Sequence, residues 1–205
     1  MTDLRGKFIV FDGTEGCGKS TQTQLLKAAL EARGNSVITV RDPGTTHIGE
    51  QIRAILLDPA HEEMGMRAEM LLYMAARSQM MKQTILPALA AGMTVLCDRF
   101  VSSTLAYQLR GDGLTATEIK AVGEIAISGR WPDLTILLDM PAKESLARVR
   151  RAKDRIEQRP MAYHEQVRRN YLAQAEGNPK FRVINANRDQ DTVHVEVVTT
   201  LTEER

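Results

Sequence analysis

A glycine-rich loop near the start of the chain ends in a lysine and a serine. Residues 13–20 read Gly-Thr-Glu-Gly-Cys-Gly-Lys-Ser and match G-x-x-x-x-G-K-[ST] in full. Glycines let backbone N–H groups converge on phosphate oxygens, Lys19 can neutralise charge on a terminal phosphate, and the Ser20 hydroxyl can reach Mg²⁺. The pattern predicts a phosphate loop with these nucleotide-binding residues: Gly13, Thr14, Glu15, Gly16, Cys17, Gly18, Lys19, Ser20 and Thr21.

The segments on either side of this loop fit the same function. The apolar run at residues 8–11 predicts a buried strand before it. Leu26 and Leu30 belong to an apolar stripe that predicts a helix after it, and Gly34 stands where helices often stop. The start of that helix would add its partial positive charge to the phosphate site.

An acid and an arginine follow another predicted strand, at residues 94–97. Asp98 and Arg99 would then lie at the carboxyl edge of the sheet, where open α/β folds bind ligands. A carboxylate there can organise Mg²⁺, and an arginine can grip phosphate. We therefore predict Ser20 and Asp98 as metal ligands, the alternative for Asp98 and Arg99 being an ordinary surface pair.

Five apolar runs predict the sheet, and segments with helical spacing separate them. The runs lie at residues 8–11, 37–40, 94–97, 134–138 and 181–184. This alternation is typical of a parallel sheet with helices on both faces, so we predict an α/β P-loop NTPase fold in a single domain over residues 1–205.

Two helix boundaries can also be read from the sequence. One long helix is predicted over residues 67–91, with Pro87 bending or breaking it near its end. Thr115 and Glu118 have the spacing of a capping box, and Pro160 suits the start of a helix that ends before Gly177.

Composition excludes several classes of protein. The net charge of +1 over 205 residues argues against a surface broadly adapted to nucleic acid or to a membrane. Neither a leader nor a membrane-spanning run is evident, so a cytoplasmic protein is expected. Cys17 and Cys97 do not resemble a disulfide framework and are predicted to be reduced thiols or small buried residues.

A phosphate loop alone leaves kinases, GTPase switches and ATPase motors open. The base-reading N-K-x-D of many GTPases is absent, and residues 187–189, Asn-Arg-Asp, echo it only superficially. A kinase is the favoured interpretation. A regulatory P-loop NTPase is less well supported, since the sequence lacks an aromatic-studded basic groove.

Further motifs, in order along the chain, resemble the thymidylate kinase family. They are Arg-Asp-Pro-Gly at 41–44, Asp-Arg-Phe at 98–100, Ser-Ser-Thr-Leu-Ala-Tyr-Gln at 102–108, Pro-Asp-Leu-Thr at 132–135 with Leu-Asp at 138–139, and Asp-Arg-Ile-Glu at 154–157. Two residues depart from the usual pattern, because Asp42 replaces a glutamate and Thr45 stands where a second glycine is common.

This resemblance implies an activity and assigns residues to it. The activity would be phosphoryl transfer from ATP to dTMP in dTTP biosynthesis, by a homodimer that uses Mg²⁺. Glu15 would approach the 3′-hydroxyl of dTMP, and Arg53 and Arg99 its phosphate. The other implied substrate contacts are Tyr73 stacking on the base, Arg77 at its carbonyl edge, Thr104 beside the base, Tyr107 near the sugar 2′ position and Gln108 closing the pocket. Each could instead be structural or solvated, and another nucleoside-monophosphate or deoxynucleoside kinase is the closest alternative.

A basic run precedes the helix that is expected after Pro160. Residues 148–159 concentrate six cations, Arg148, Arg150, Arg151, Lys153, Arg155 and Arg159, against two acids. Such a run is often a solvated helix face, but kinases need mobile cations that close over ATP. Since the phosphate loop lacks an arginine, the family resemblance implies a lid over residues 143–159 with Arg148 and Arg151 as catalytic candidates beside Lys19, Arg99 and Glu15.

Overall fold

The sheet is parallel throughout and has β1, the strand before the phosphate loop, at its centre. A computed structural model describes residues 4–109, 111–150 and 152–201. The described residues form β1 (Phe8–Asp12), β2 (Val37–Arg41), β3 (Thr94–Asp98), β4 (Leu134–Asp139) and β5 (Phe181–Asn185) in the order β2-β3-β1-β4-β5. The predicted sheet is therefore confirmed. Each strand runs one residue beyond its apolar run, because the polar residue at its carboxyl end still pairs with a neighbour.

Alternate residues of β1 explain why helices cover both faces of the sheet. Phe8 and Val10 pack into one apolar cluster, and Ile9 and Phe11 pack into another. The described helices are α1 (Lys19–Glu31), α2 (His47–Leu57), α3 (Met66–Met80), α4 (Leu86–Ala90), α5 (Val101–Tyr107), α6 (Ala116–Ile127), α7 (Ala142–Ala147), α8 (Met161–Ala175) and α9 (Gln190–Thr200). Helices α3 and α6 contribute to the first cluster, and α1 and α9 to the second.

The long helix predicted over residues 67–91 is interrupted before Pro87. Helix α3 continues into a π-helical turn, Met81–Ile85, and α4 follows with Pro87 in its first turn. Proline has no N–H to donate, and its ring would clash with the carbonyl four residues earlier in a regular α-helix. A wider turn just upstream accommodates both constraints. The predicted disturbance of the helix is confirmed, and it lies on the amino-terminal side of Pro87.

Two local predictions, the capping box and the reduced cysteines, are also confirmed. Thr115 and Glu118 form the capping box at the start of α6, with Glu118 N donating to Thr115 Oγ1 at 3.2 Å. Both cysteines are free and buried. Across the described ranges, no helix combines the length and the apolar character needed to cross a membrane.

Candidate active site

Three glycines give the phosphate loop its shape. Gly13, Gly16 and Gly18 all have positive φ, at 139°, 77° and 100°. A Cβ added to Gly13 would lie 2.4 Å from the carbonyl oxygen of Leu138, and one on Gly16 would lie 2.1 Å from that of Ser145. Only glycine fits these positions, so β4 and α7 press directly against the loop.

Lys19 crosses the loop from the first turn of α1. Its Nζ donates to the carbonyl oxygens of Gly13 at 3.1 Å and Thr14 at 2.7 Å, and the side chain is buried. Thr14 is held in turn by Ser145 of α7, with 2.8 Å between the hydroxyl oxygens. The charge of Lys19 is therefore fixed within the loop. Thr21, the last residue assigned to the nucleotide, is exposed.

The two predicted metal ligands lie together. Ser20 Oγ, at the start of α1, donates to Asp98 Oδ2 at 2.7 Å from the end of β3. Both residues line the large cavity described below. A hydroxyl and a carboxylate on one cavity wall are hard oxygen ligands of the kind Mg²⁺ prefers.

Arg99 is turned back over the phosphate loop by an uncommon backbone conformation. Its φ is 72°, in the left-handed region that non-glycine residues rarely adopt. Nη1 donates to the carbonyl oxygen of Gly13 at 3.1 Å, to Ser103 Oγ at 3.2 Å and to Tyr171 Oη at 3.1 Å. A strained conformation that persists at a ligand edge requires strong local contacts, and these hydrogen bonds supply them.

Asp12 is a buried carboxylate that the sequence motifs did not single out. It holds two residues that contact Arg99. Asp12 Oδ1 accepts hydrogen bonds from Ser103 Oγ at 2.6 Å and Tyr171 Oη at 2.9 Å, while Ser102 donates to Oδ2. Burial raises the pKa of Asp12 despite these hydroxyl groups. The only signal in the sequence is that an acid, Asp12, stands between the apolar run and the loop.

Glu15 lies on the other side of Arg99, at the centre of the loop. Its Oε1 accepts from Arg99 Nη2 at 3.0 Å and from Tyr107 Oη at 2.6 Å. Burial opposes ionisation of Glu15, but attraction to Arg99 and Lys19 and the hydrogen bond from Tyr107 outweigh burial and hold its pKa below the usual range. Glu15 is therefore an ionised acceptor at neutral pH.

The residues assigned to dTMP line the same cavity. Tyr73 and Arg77, one helical turn apart on α3, both line it, as do Thr104, Tyr107 and Gln108 of α5 and the residue after it. Arg53 of α2 lines it too, and its Nη1 donates to the carbonyl oxygen of Pro43 at 3.1 Å. We call this set, Arg53, Tyr73, Arg77, Thr104, Tyr107 and Gln108, the acceptor pocket.

Arg77 is more deeply embedded than its expected role suggests. The residue is 1% exposed, and its Nε donates to Asp42 in a buried ion pair. Nη2 donates to the carbonyl oxygen of Phe100 at 3.1 Å and to Thr104 Oγ1 at 3.2 Å. Burial raises the pKa of Asp42, against the attraction of Arg77. Asp42, although shorter than the glutamate usual in the family, reaches Arg77. Together these contacts fix the orientation of the Arg77 guanidinium.

Thr45, the second departure from the family pattern, has a φ of 69°. A glycine is common at such a position because positive φ costs it little. Thr45 offsets part of that cost locally, since its Oγ1 accepts from the N–H of Arg41 at 2.8 Å.

The basic run is not a solvated helix face, so that interpretation is wrong for the described residues. Helix α7 ends at Ala147, and the described residues between it and Pro160 form turns and loops. Arg148 and Arg150 line the cavity, whereas Arg151 lies outside the described residues. Two of the other cations turn inward.

Glu69 of α3, also missed by the sequence reasoning, holds those two cations. It is fully buried and forms ion pairs with Arg155 and with Arg159, the latter at 2.7 Å. Its other oxygen accepts from Gln108 Nε2 at 2.7 Å. Arg155 Nε also donates to the carbonyl oxygen of Leu56 at 2.9 Å. The carboxyl half of the predicted lid is therefore anchored to α2 and α3, next to the acceptor pocket.

One cavity of about 430 Å³ is lined by the acceptor pocket and by Glu15, Lys19, Ser20, Asp98, Arg99 and Arg148. Arg99 connects the phosphate loop to the acceptor pocket, because it donates to Gly13 and Glu15 of the loop and its guanidinium lies 5.1 Å from the ring centroid of Tyr107. Donors for phosphate oxygens in the loop, together with an aromatic and polar pocket, suit two nucleotides that meet at Arg99.

Comparison with known proteins agrees with this geometry. The family model described as thymidylate kinase matches residues 11–197. Similar proteins named thymidylate kinase occur in Pelotomaculum thermopropionicum, 46% identical with 95% of this chain and 92% of the relative covered, and in Halothermothrix orenii, 43% identical with 95% of each covered.

A solved structure is similar over nearly its whole length. The crystal structure of thymidylate kinase from Ehrlichia chaffeensis superposes with a TM-score of 0.78 at 31% identity, with 96% of this chain and 98% of the other covered. The match therefore spans the phosphate loop, the acceptor pocket and the segment between α7 and α8, and the chain belongs to the thymidylate kinase family.

Proposed function

We propose that this protein is an ATP-dependent dTMP kinase that produces dTDP and ADP. The observation that carries the proposal is the shared cavity, which is lined by residues of the phosphate loop, by Arg99 and by the acceptor pocket. Family membership supports the same activity. Phosphoryl transfer depends almost entirely on positioning and on electrostatic stabilisation, and this cavity offers both.

The phosphate loop would bind the donor. Backbone N–H groups of residues 13–20 and the amino end of α1 would bind the phosphates, and Lys19 would supply positive charge beside them. On transfer, the bond between the γ-phosphorus and the bridging oxygen of ATP breaks, and a bond to a phosphate oxygen of dTMP forms. Negative charge on the transferred group is stabilised by Lys19 and Arg99, so both act on the reacting atoms.

The acceptor pocket would bind dTMP. Tyr73 offers an aromatic face to the base, and Arg77 and Thr104 present polar groups at its edge. Arg53 and Arg99 would hold the monophosphate, and Glu15 would accept a hydrogen bond from the 3′-hydroxyl. The ring of Tyr107, whose hydroxyl bonds to Glu15, fills space beside the sugar and would exclude a 2′-hydroxyl.

The residues present fit a divalent cation, but only with help from the nucleotide. In the part of the chain that the structure describes, no group of three or more His, Cys, Asp or Glu side chains could hold a metal ion. Ser20 and Asp98 would hold Mg²⁺ together with phosphate oxygens, which is how this ion is commonly bound. When bound, it would neutralise charge on the terminal phosphates of ATP.

The proposal also includes a lid over the donor nucleotide and an assembly of two chains. Arg148 would close over ATP, with Arg151 as the second candidate, in a lid over residues 143–159 within a single domain. We also propose a cytoplasmic homodimer that uses neither nucleic acid nor a membrane. The interface would use α3, as the family resemblance implies, and this helix carries the half-exposed Leu71.

A coupled assay of ADP formation tests the function. The purified protein is given ATP and Mg²⁺ with dTMP, dUMP, dGMP or CMP, and dTMP should give the highest kcat/KM. A higher value with another monophosphate would indicate a related nucleotide kinase. ATP hydrolysis independent of any acceptor would favour a regulatory NTPase.

A further inference from the structure

His164, in the first turns of α8, is a buried residue that the proposed function does not yet use. It is 1% exposed, and neither Nδ1 nor Nε2 has a hydrogen-bond partner among the described residues. Buried polar side-chain atoms usually have one, because leaving them unpaired costs about 1–3 kcal/mol. Packing alone therefore does not explain an imidazole at this position.

The imidazole faces another unpartnered atom. His164 Nδ1 lies 3.9 Å from Glu15 Oε2, which is buried and also without a hydrogen-bond partner in the described chain. A relative movement of about 1 Å would bring the two atoms to hydrogen-bond distance. The opposite oxygen of Glu15 already accepts from Arg99 and Tyr107.

Helix α8 is well placed to fix this geometry. Arg168 pairs with Asp139 at the end of β4 at 2.7 Å, which holds the helix against the sheet. Tyr171, two turns after His164 and so on the same face, contacts Arg99 and Asp12. One face of α8 therefore presents Tyr171 to Arg99 and His164 to Glu15.

We propose that His164 is a positioning residue for Glu15, to which it donates a hydrogen bond from Nδ1–H to Oε2 when the deoxynucleotide binds. The inference rests on the proposed function, in which Glu15 accepts the 3′-hydroxyl of dTMP. An ionised carboxylate has about four acceptor sites. Arg99, Tyr107 and His164 would occupy three, so that the fourth, on Oε2, is aimed at the sugar hydroxyl.

Calorimetric binding of dTMP and of 3′-deoxythymidine monophosphate tests this role. One hydrogen bond to an ionised group is lost without the 3′-hydroxyl, so the wild-type protein should bind dTMP about tenfold more tightly than the deoxy analogue. In His164→Phe, which keeps an aromatic ring but no donor, this preference should fall to about twofold or less. His164→Asn, whose amide lies near the place of Nδ1, should retain most of it.

His194→Phe is the matched control, because His194 on α9 also has an unpartnered buried Nδ1, but the carboxylate that acts on it is Asp191 and not Glu15. Its preference should equal that of the wild type. An unchanged preference in His164→Phe, or an equal weakening of both nucleotides, would overturn the positioning role.

If His164→Phe does not fold, the nucleotide preferences of His164→Asn and His164→Gln are compared instead. The glutamine amide reaches towards the place of Nε2, so it should lose the preference that asparagine keeps, and equal preferences would contradict the proposal. A wild-type protein that does not bind dTMP would overturn the proposed function as well, whereas normal dTMP binding with an unchanged preference rejects the role of His164 alone.

Discussion

Arg99 Nη2 donates to Glu15 Oε1 at 3.0 Å and so joins the end of β3 to the centre of the phosphate loop. Both side chains are largely withdrawn from solvent, with 18% and 13% exposed. The pair brings the residue proposed to bind the sugar next to the residue proposed to bind both phosphates. A change at either position should therefore affect stability and substrate binding together.

The first prediction concerns the pH dependence of this pair. The pKa of Glu15 in the folded protein lies below the ordinary value of 4.5, so the pair stabilises the fold fully above about pH 4.5 and loses that effect as the pH falls through the folded pKa. Glu15→Gln should lower the free energy of unfolding by about 1–3 kcal/mol near pH 7, and the difference should shrink in acid. Urea titrations at several pH values measure it.

Glu165→Gln provides the control for this experiment. Glu165 is an exposed carboxylate on α8, and its replacement should change stability little at any pH. A Glu15→Gln effect that grows as the pH falls would contradict the assigned direction.

The second prediction concerns Lys19. Lys19→Ala should reduce kcat by roughly 10³-fold, or about 4 kcal/mol, because the lysine stabilises charge that develops during transfer. Circular dichroism should show an intact fold. Lys27→Ala, on the same helix but in a surface pair with Glu31, should leave kcat near the wild-type value. Near-normal turnover in Lys19→Ala would remove the phosphate-loop mechanism from consideration.

The third prediction concerns the buried pair of Arg77 and Asp42. Arg77→Ala leaves Asp42 uncompensated in the interior and should destabilise the protein by about 3–5 kcal/mol. Adding Asp42→Asn should recover part of that loss, since the remaining partner is then neutral. Thermal and urea unfolding measure both changes. Equal stability of the single and double variants would contradict this prediction, because it would show that the charge of Asp42 does not destabilise the interior once Arg77 is removed.

Much of the scaffold could be predicted because its signals are local. The strands are continuous apolar runs, and the phosphate loop is a contiguous motif. The four-residue spacing of Tyr73 and Arg77 places both on one face of α3, and both line the cavity. None of these predictions required knowledge of which distant segments meet.

The residues that were missed are joined by long-range contacts. Glu69 meets Arg155 across 86 positions, and Asp12 meets Tyr171 across 159. The composition of a basic run does not show which cations find a buried partner, so Arg155 and Arg159 could not be separated from Arg148. His164 gave no signal because its neighbour Glu15 is defined only by tertiary packing.

The fourth prediction concerns the half of the lid that faces the cavity. Arg148→Ala should lower kcat more than it raises the KM for dTMP, because a closing arginine acts mainly in the transition state. The same substitution at Arg151 ranks the two candidates. Arg169→Ala, at an exposed position on α8 outside the cavity, is the control. If neither lid variant changes kcat, neither residue acts as the catalytic arginine.

The last prediction concerns the nucleotide base. Truncating Tyr73 to Ala should weaken dTMP binding by at least the roughly 0.5–1.5 kcal/mol of aromatic stacking, while ATP binding is spared because Tyr73 lies on α3 in the acceptor pocket and not in the phosphate loop. The wild-type protein should phosphorylate dUMP slowly, since one methyl group in an apolar pocket is worth about 1–3 kcal/mol, or roughly 10–200-fold. Purine monophosphates should be rejected more strongly, because Arg77 and Thr104 are fixed by their mutual hydrogen bond of 3.2 Å and cannot easily make room for a second ring. Competition assays against dTMP measure this order. A preference for dGMP or AMP would contradict a pyrimidine-sized pocket and leave the phosphoryl-transfer site unaffected.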